Sequence, residues 1–390
     1  MKMRILFITG INITNPTLIG VIKKINGQVN AMRSLGHEVV FSYIINNELI
    51  FEYPDLSKEK IAISNNSIVS RIKSYKEFIK NTKTNKYDII FIRINDLNPF
   101  LLLALKKIKN NNIKIIFELP TYPVKEEAKL LEKKYVQEKQ FGKLLFYKIN
   151  RLMEGATIPF VKFVVDWIVT YSLDKRIYGV NTIAIGNGIN LKEIKKKTYL
   201  STKENVINVI GVANLSIWHG FDRVIHGLEK DSNIIKSNNV IFNIVGTGSE
   251  ENTLKSLTMK LGVSKNVIFH GVKRGNELDE LFDKCDLAVS SLGMHRIGLT
   301  EGAVLKTREY CARGIPFIYG YNDVDIKNNY PFALKVPADE SYININDLID
   351  FYNLNKQNEL TNEIMRDCAK KNFTWELQMK KVFKEVWKES

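Results

Sequence analysis

Two carboxylates, Glu301 and Glu309, stand eight residues apart in Glu301-Gly-Ala-Val-Leu-Lys306-Thr-Arg-Glu309-Tyr-Cys-Ala-Arg-Gly314-Ile-Pro316. If a helix begins near Ala303, Glu301 stays in the loop before it and Glu309 sits two turns inside. The pair then straddles the helix N-terminus, roughly 10 Å apart along the axis. That is too long for the two carboxyls of a retaining glycosidase, which lie about 5 Å apart. It suits gripping two ends of an extended ligand, with a diphosphate on the helix-end amides between them. A pairing of Glu309 with Arg313 one turn on is the structural alternative.

Three further glycine-containing junctions could hold a ligand edge or an anion. Gly211-Val-Ala-Asn214-Leu-Ser-Ile-Trp-His219-Gly220-Phe-Asp-Arg223 offers Asn214 and His219 as donors, and Gly220 permits close backbone approach. Val245-Gly246-Thr-Gly248-Ser-Glu250 leads into a helix, either to turn amides toward a ligand or as a tight turn capped by Ser249. Thr9-Gly10 runs to Gly20-Val-Ile-Lys23-Lys24, which could set helix amides and a lysine beside an anion. Neither G-x-G-x-x-G nor G-x-x-x-x-G-K-[ST] occurs there. No Ser-His-Asp or Cys-His candidate for a protein nucleophile is found. Asp323-Val-Asp325 has the spelling of a metal site, but a solvated loop is its expected role.

These junctions need elements to carry them. Near-continuous apolar strands are expected at Arg4–Thr9, Glu38–Ile44, Tyr87–Arg93, Ile113–Leu119 and Trp167–Tyr171. Helical patterns near Val21–Leu35, Ile68–Lys80, Phe100–Ile108 and Glu126–Met153 lie between them. A second series runs through strands Val206–Val212, Val240–Val245, Val267–His270, Leu287–Ser290 and Pro316–Ile318, with helices near Phe221–Glu229, Glu250–Leu261, Leu278–Lys284 and Ala303–Arg313. Strands alternating with helices indicate parallel sheets covered on both faces, and two such series imply two doubly wound α/β domains. The boundary is expected at the Asn187-Gly188 turn, giving domains 1–188 and 189–373, with Lys192–Lys203 as a polar linker. An amphipathic helix over Thr374–Glu389 ends the chain.

The length of 390 residues fits two domains, and 45% hydrophobic with 25% charged residues is ordinary globular usage. Three scattered cysteines make neither a disulfide framework nor a four-cysteine zinc site, which suits a reducing cytosol. No signal peptide and no run of about 18 apolar residues is found. The formal net charge of +15 is the unusual number. It points to an anionic partner such as nucleic acid, acidic lipid or a phosphorylated substrate. With 45 of the 57 basic residues lysine, the codon bias of an AT-rich genome explains the excess equally well. Nucleic acid is disfavoured, since the basic residues are dispersed and no recognition motif appears. Lys125–Met153 carries eight basic and four acidic residues on an amphipathic pattern, read either as contact with an anionic membrane surface or as a helix packed on its sheet.

The Glu301-x7-Glu309 block followed by Ala-Arg-Gly-Ile-Pro resembles the signature of the retaining, nucleotide-sugar-dependent glycosyltransferases of family four. Asn187-Gly188, Val245-Gly-Thr-Gly248, His270-Gly-Val272 and Leu35-Gly-His-Glu-Val39 extend the resemblance along nearly the whole chain. Trp218-His-Gly, Leu305-Lys-x-Arg-Glu309 and Glu118-Leu-Pro-Thr-Tyr-Pro123 look like enzymes that build bacterial surface or capsular polysaccharides. The resemblance implies a GT-B fold: two Rossmann-like domains facing a cleft, the C-terminal helix returning to the first. It implies a UDP- or GDP-sugar donor, a glycan or lipid-linked acceptor, no cofactor, no metal, and a cytoplasmic place at the inner membrane face. Glu301 would bind the donor sugar, amides of Gly302, Ala303, Val304, Leu305 and Lys306 the sugar and diphosphate, and Glu309 the ribose. Gly246, Gly248 and Arg274 would lie near the nucleobase, and Gly20 would face the diphosphate. Glu118, Thr121 and Tyr122 would shape the acceptor side. One departure stands out: where many members carry an Arg and a Lys against the leaving diphosphate, this chain has Asn214 and His219. Either a protonated His219, or Lys306, Arg223 or Arg296, supplies the charge, or the protein is a poor catalyst or a silent subunit.

Overall fold

In the computed structural model the apolar runs become interior strands, as expected of parallel strands covered on both faces. The structure describes residues 2–15, 18–64, 67–94, 97–109, 112–122, 125–198, 206–231, 239–326, 330–356 and 361–388. The chain divides into two compact units, Met1–Gly188 with Trp375–Ser390, and Ile189–Thr374.

The first unit holds a nine-stranded sheet of β1 (Arg4–Asn12), β2 (Glu38–Ile45), β3 (Glu48–Glu52), β4 (Lys58–Ala62), β5 (Ile89–Arg93), β6 (Lys114–Leu119), β7 (Trp167–Thr170), β8 (Arg176–Ile177) and β9 (Val180–Ala184). Their order is β4-β3-β2-β1-β5-β6-β7-β9-β8. Neighbours from β2 through β1, β5, β6 and β7 to β9 pair in parallel. The edge strands β3, β4 and β8 pair antiparallel. The β2–β3 hairpin was not anticipated; it turns at Asn46, whose positive φ asparagine tolerates better than most side chains.

The second unit contains β10 (Val206–Val212), β11 (Asn239–Val245), β12 (Val267–Phe269), β13 (Leu287–Val289), β14 (Glu301–Gly302), β15 (Phe317–Tyr319), β16 (Asn322–Asp323) and β17 (Ala333–Lys335). Its main sheet runs β12-β11-β10-β13-β15-β17, all parallel. Relabelled by sequence this is the order 3-2-1-4-5-6 of doubly wound dinucleotide folds, which reverses between the first and fourth strands. Here the reversal falls between β10 and β13. Their register is pinned at the opposite end, where Asp286 accepts from the amide of Asn208 at 2.8 Å and its own amide donates to Asn208 at 2.7 Å. Asp88 and Asp166 hold amides of neighbouring strands in the first unit in the same way, at 2.7 and 2.8 Å.

Several expectations need correction. The single helix over Glu126–Met153 is two, Lys125–Gln137 and Phe141–Val161, broken where Lys139 takes a positive φ. The polar segment after Asn190 is anchored rather than loose as far as Thr198. Lys197 is buried with its amide on the Arg313 carbonyl, and the Thr198 amide donates to Asp283 at 2.7 Å; residues 199–203 lie outside the described residues. Helices Ile345–Lys356 and Thr361–Asn372 were not foreseen.

The final helix, Trp375–Lys388, packs on the helix Ile19–Ser34 within the first unit; Glu389, in its expected span, lies outside the described residues. Trp375 explains two glycines. A Cβ on Gly27 or on Gly188 would lie 2.3 Å from the indole, so the ring fits only because both positions lack a side chain. Alanine is the better helix former by about 1 kcal/mol, yet Gly27→Ala should destabilise the protein by roughly 1–3 kcal/mol through overpacking. In a Trp375→Ala background the same substitution should become neutral or stabilising, a coupling that urea unfolding of the four-protein cycle will read.

Candidate functional site

Ligands of open α/β sheets bind outside the carboxyl ends of the strands where the order reverses. In the second unit that place is formed by the segments leaving β10 and β13. The first makes one turn of helix, Ile217–His219, closed by Gly220 at φ +63°. The amides of Leu292 and Gly293 donate to the carbonyls of His219 and Trp218 at 3.0 and 3.1 Å. A Cβ on Gly220 would stand 2.8 Å from the Gly293 nitrogen, so the two backbones meet only through glycine. Gly246 and Gly248 have a similar reason: a Cβ on either would fall 1.8 or 2.3 Å from the carbonyl oxygen of Ala213 or Leu215. The turn they make is not capped by Ser249; the helix Glu251–Lys260 starts after Glu250, and the Ser249 hydroxyl reaches the Leu215 carbonyl at 3.4 Å.

Glu301 and Gly302 form β14, paired in parallel with Asn322 and Asp323 of β16. The helix therefore starts at Leu305, later than Ala303, with Val304 before it and no side chain capping its first amides. Gly302 and Ala303 are buried, Glu301, Val304 and Lys306 half-buried, and Leu305 exposed. Glu301 thus precedes the helix and Glu309 sits inside it. Glu309 accepts from Arg313 Nε at 2.9 Å, and 32% of its side chain remains exposed. Arg313 is itself fixed by Asp279 at 2.6 Å and by the Phe282 ring 4.2 Å beneath its guanidinium.

One residue of this block was missed. Arg308 is completely buried and pairs with both Asp323 and Asp325: Nη2 lies 2.6 Å from Asp323 Oδ1 and 3.1 Å from Asp325 Oδ2, while Nη1 also donates to Asp323. Burial opposes its charge, but the carboxylates more than offset that and hold it protonated. The solvated role expected for Asp323-Val-Asp325 is corrected accordingly. A signal was available: Thr307, Arg308, Tyr310, Cys311 and Ala312 are all buried in one short helix, and an arginine there requires carboxylates nearby.

The cations sort by what already holds them. His219 is buried, and its Nδ1 accepts from the Ser216 amide at 3.2 Å. Burial, and then the charge of Lys306, push its pKa down to about 2. It is a neutral imidazole with its proton on Nε2, so of the alternatives for the missing charge a protonated His219 is the one this environment opposes. Arg223 is buried and donates to the carbonyls of Ser341 and Leu292 at 2.5 and 2.6 Å. Arg296 is held between Asp222 and Glu340 at 2.7 and 2.5 Å. Neither arginine is available to a ligand. Lys306 remains. Its ammonium is buried with no hydrogen-bond partner among the described residues, 5.5 Å from the centre of the Phe221 ring, and burial pushes its pKa down to about 7.

The remaining candidates are scattered. Asn214 is exposed beside the Gly248 turn. Arg274 is exposed just before the helix Gly275–Asp283. Gly20 lies in the first turn of the helix Ile19–Ser34, with nothing within 4 Å of where its Cβ would be. In that first unit Glu118 has no exposed surface. It accepts from Arg93, from Tyr171 at 2.7 Å and from Gln28 at 3.0 Å, so it locks strand ends together and cannot itself touch an acceptor, which corrects its expected role. Thr121 and Tyr122 beyond it are half-buried; Pro123 lies outside the described residues.

Residues 190–324 match the sequence profile of the family described as glycosyl transferases group 1. No curated protein matches the sequence. Solved structures do match in shape over the whole chain. A glycosyltransferase from Rickettsia africae gives a TM-score of 0.63 at 16% identity, covering 100% of this chain and 98% of its own. Sucrose-phosphate synthase from Thermosynechococcus elongatus gives 0.60 at 13% identity, with 100% of each chain covered. HepE from Anabaena, crystallised with UDP, gives 0.58 at 14% identity, covering 98% and 99%. The fold is GT-B.

Removing one partner of a buried ion pair leaves the other charge uncompensated, at about 3–5 kcal/mol. Asp323→Ala should therefore lower the stability of the second unit by that order and the melting temperature of the protein with it, while Asp222→Ala, on a half-exposed pair, should change it little.

Proposed function

We propose that the chain is a retaining glycosyltransferase that moves a sugar from a nucleotide-sugar donor, UDP- or GDP-linked, to a glycan or lipid-linked acceptor of bacterial surface polysaccharide. The observation that carries this reading is Lys306. An ammonium buried without a partner, in the first turn of a helix with uncapped amides, at the switch point of a parallel sheet, lacks only an anion. The family match over residues 190–324 spans Glu301, Lys306 and Glu309, and the UDP and UDP-glucose complexes of Anabaena HepE make the uridine donor the first to test.

In this reading Lys306 and the amides of the first helical turn take the diphosphate. Glu301, in the strand before the helix, takes a sugar hydroxyl, and Glu309, already aligned by Arg313, takes the ribose. The acceptor hydroxyl attacks the anomeric carbon on the face from which the nucleotide leaves. Its oxygen bonds to that carbon as the bond to phosphate breaks, and its proton passes to the leaving phosphate oxygen. Charge develops on that oxygen, where a fixed cation in a dry site is most effective. Lys306 would fill the part left open by Asn214 and the neutral His219, and His219 Nε2–H can add a hydrogen bond. The rival of a catalytically silent subunit rests on that missing pair, and Lys306 is the cation that supports activity against it. We propose that transfer needs no metal, since the Asp-x-Asp carboxylates of this unit are engaged by Arg308.

Lys306 also fixes a pH dependence. The unfolded chain holds this lysine's proton up to its ordinary value near 10.5, the folded chain only to about 7. Between those values the unfolded state binds more protons, so stability rises with pH across the window. Ligand binding runs the other way. A sugar nucleotide, whose diphosphate does not titrate here, should bind fully below pH 7 and lose affinity as pH rises, by up to about tenfold per unit. Lys306→Met should flatten that profile, raise the melting temperature of the unliganded protein at pH 7, and lower kcat by roughly 10²–10³. Glu301→Ala should keep the thermal shift given by the nucleotide and lose transfer. No shift with any uridine or guanosine diphosphate, or an unaltered profile in Lys306→Met, would overturn the reading.

A further inference from the structure

The helix Phe141–Val161 in the first unit buries only Thr157 and Val161 of its 21 residues. Its first four turns contribute nothing to the core, yet Phe141, Leu145, Ile149, Leu152 and Phe160 recur every three, four or eight positions, which sets them on one face. The stripe is open to solvent: Phe141 is 63%, Leu145 62% and Leu152 74% exposed, and Phe163 just beyond the helix 68%. From Phe141 to Phe163 it runs for roughly 30 Å. An exposed apolar strip of that length marks a contact surface.

Charge identifies the contact. Lys143, Lys148 and Lys162 lie exposed along the same segment. Between this helix and Lys125–Gln137 opens a groove of about 460 Å³ lined by three lysines, Lys129, Lys133 and Lys148, against one carboxylate, Glu132. Among the described residues no helix is long and apolar enough to cross a membrane. An apolar stripe flanked by lysines, with a basic groove beside it, suits an interfacial helix lying flat on a bilayer: side chains enter the acyl boundary and the groove takes headgroup phosphates. A second copy fits less well, because a two-fold contact through the stripe would set these lysines near their own copies.

We infer that the face formed by Phe141–Phe163 and the adjoining lysine groove docks on an anionic lipid bilayer. The inference does not depend on the donor site, and its test requires no sugar transfer. The full chain is sedimented with vesicles of phosphatidylcholine alone and of phosphatidylcholine with phosphatidylglycerol. Binding is expected to the anionic vesicles and to weaken steeply with added salt. Leu145→Glu/Leu152→Glu, at exposed positions, should reduce it at least about tenfold with the melting temperature unchanged, and Lys133→Gln/Lys148→Gln should reduce it by about fivefold per lysine. Absence of binding by the wild-type chain, or full binding by the glutamate variant, overturns the proposal. So does a dimer seen by light scattering that the glutamate variant dissolves while vesicles bind neither protein.

Discussion

The candidate site depends on the buried clamp of Arg308 on Asp323 and Asp325. Arg308 belongs to the helix that carries Lys306 and Glu309. Asp323 belongs to β16, the strand against which Glu301 and Gly302 are laid. One side chain therefore ties the carboxylate before the helix to the cation and carboxylate within it. Replacing such a triad by apolar groups would often leave a protein as stable or more so. What the ion pair adds is geometry: a planar guanidinium facing two carboxylates admits fewer arrangements than methyl groups would.

The same helix shows why one lysine differs from every other cation around it. Two positive side chains stand in its first turn and a half, where the helix dipole already disfavours them. Arg308 has two carboxylates. Lys306 has an aromatic face and no acceptor, and burial lowers its affinity for a proton. Arg296 and Arg223 are also engaged, by the carboxylates of Asp222 and Glu340 and by the carbonyls of Ser341 and Leu292. His219 keeps its neutral form because a backbone amide occupies one nitrogen and the nearby ammonium opposes a second charge. An uncompensated charge among compensated ones is how a protein stores affinity for a counter-ion it does not carry itself.

Much of this was legible in the chain. The interior strands could be read because parallel strands buried on both faces have few polar positions to confuse the pattern. The Glu301–Glu309 block could be read because glycine, carboxylates and a helix start occur in a fixed order. The edge hairpin Glu48–Ala62 was not legible: β4 is lysine-rich and exposed, and its pairing follows from the turn at Tyr53–Ser57, where Leu56 takes a positive φ, rather than from apolar alternation. The break at Lys139 hid for the opposite reason, since helical periodicity runs on either side of a residue whose backbone alone departs. Ownership of the cations was the hardest to see. Which of Arg223, Arg296, Lys306 and His219 is free depends on carboxylates and carbonyls up to 118 residues away in sequence.

The surplus charge can now be divided by its physics. On the reading proposed above, a diphosphate would meet one ammonium, that of Lys306, so the candidate site would account for very little of the +15. Among the exposed lysines, those along Phe141–Phe163 are distinctive because apolar side chains share their surface. The two kinds of charge answer salt differently. Exposed lysines act through solvent, where attraction fades over a Debye length of about 8 Å at physiological ionic strength. Lys306 acts from a buried position, where the effective dielectric is lower than in water. Added salt should thus weaken the proposed surface docking more than the proposed diphosphate site, and pH near 7 should do the reverse. A positive charge that looks uniform in composition separates into a buried and an exposed kind, which salt and pH would tell apart.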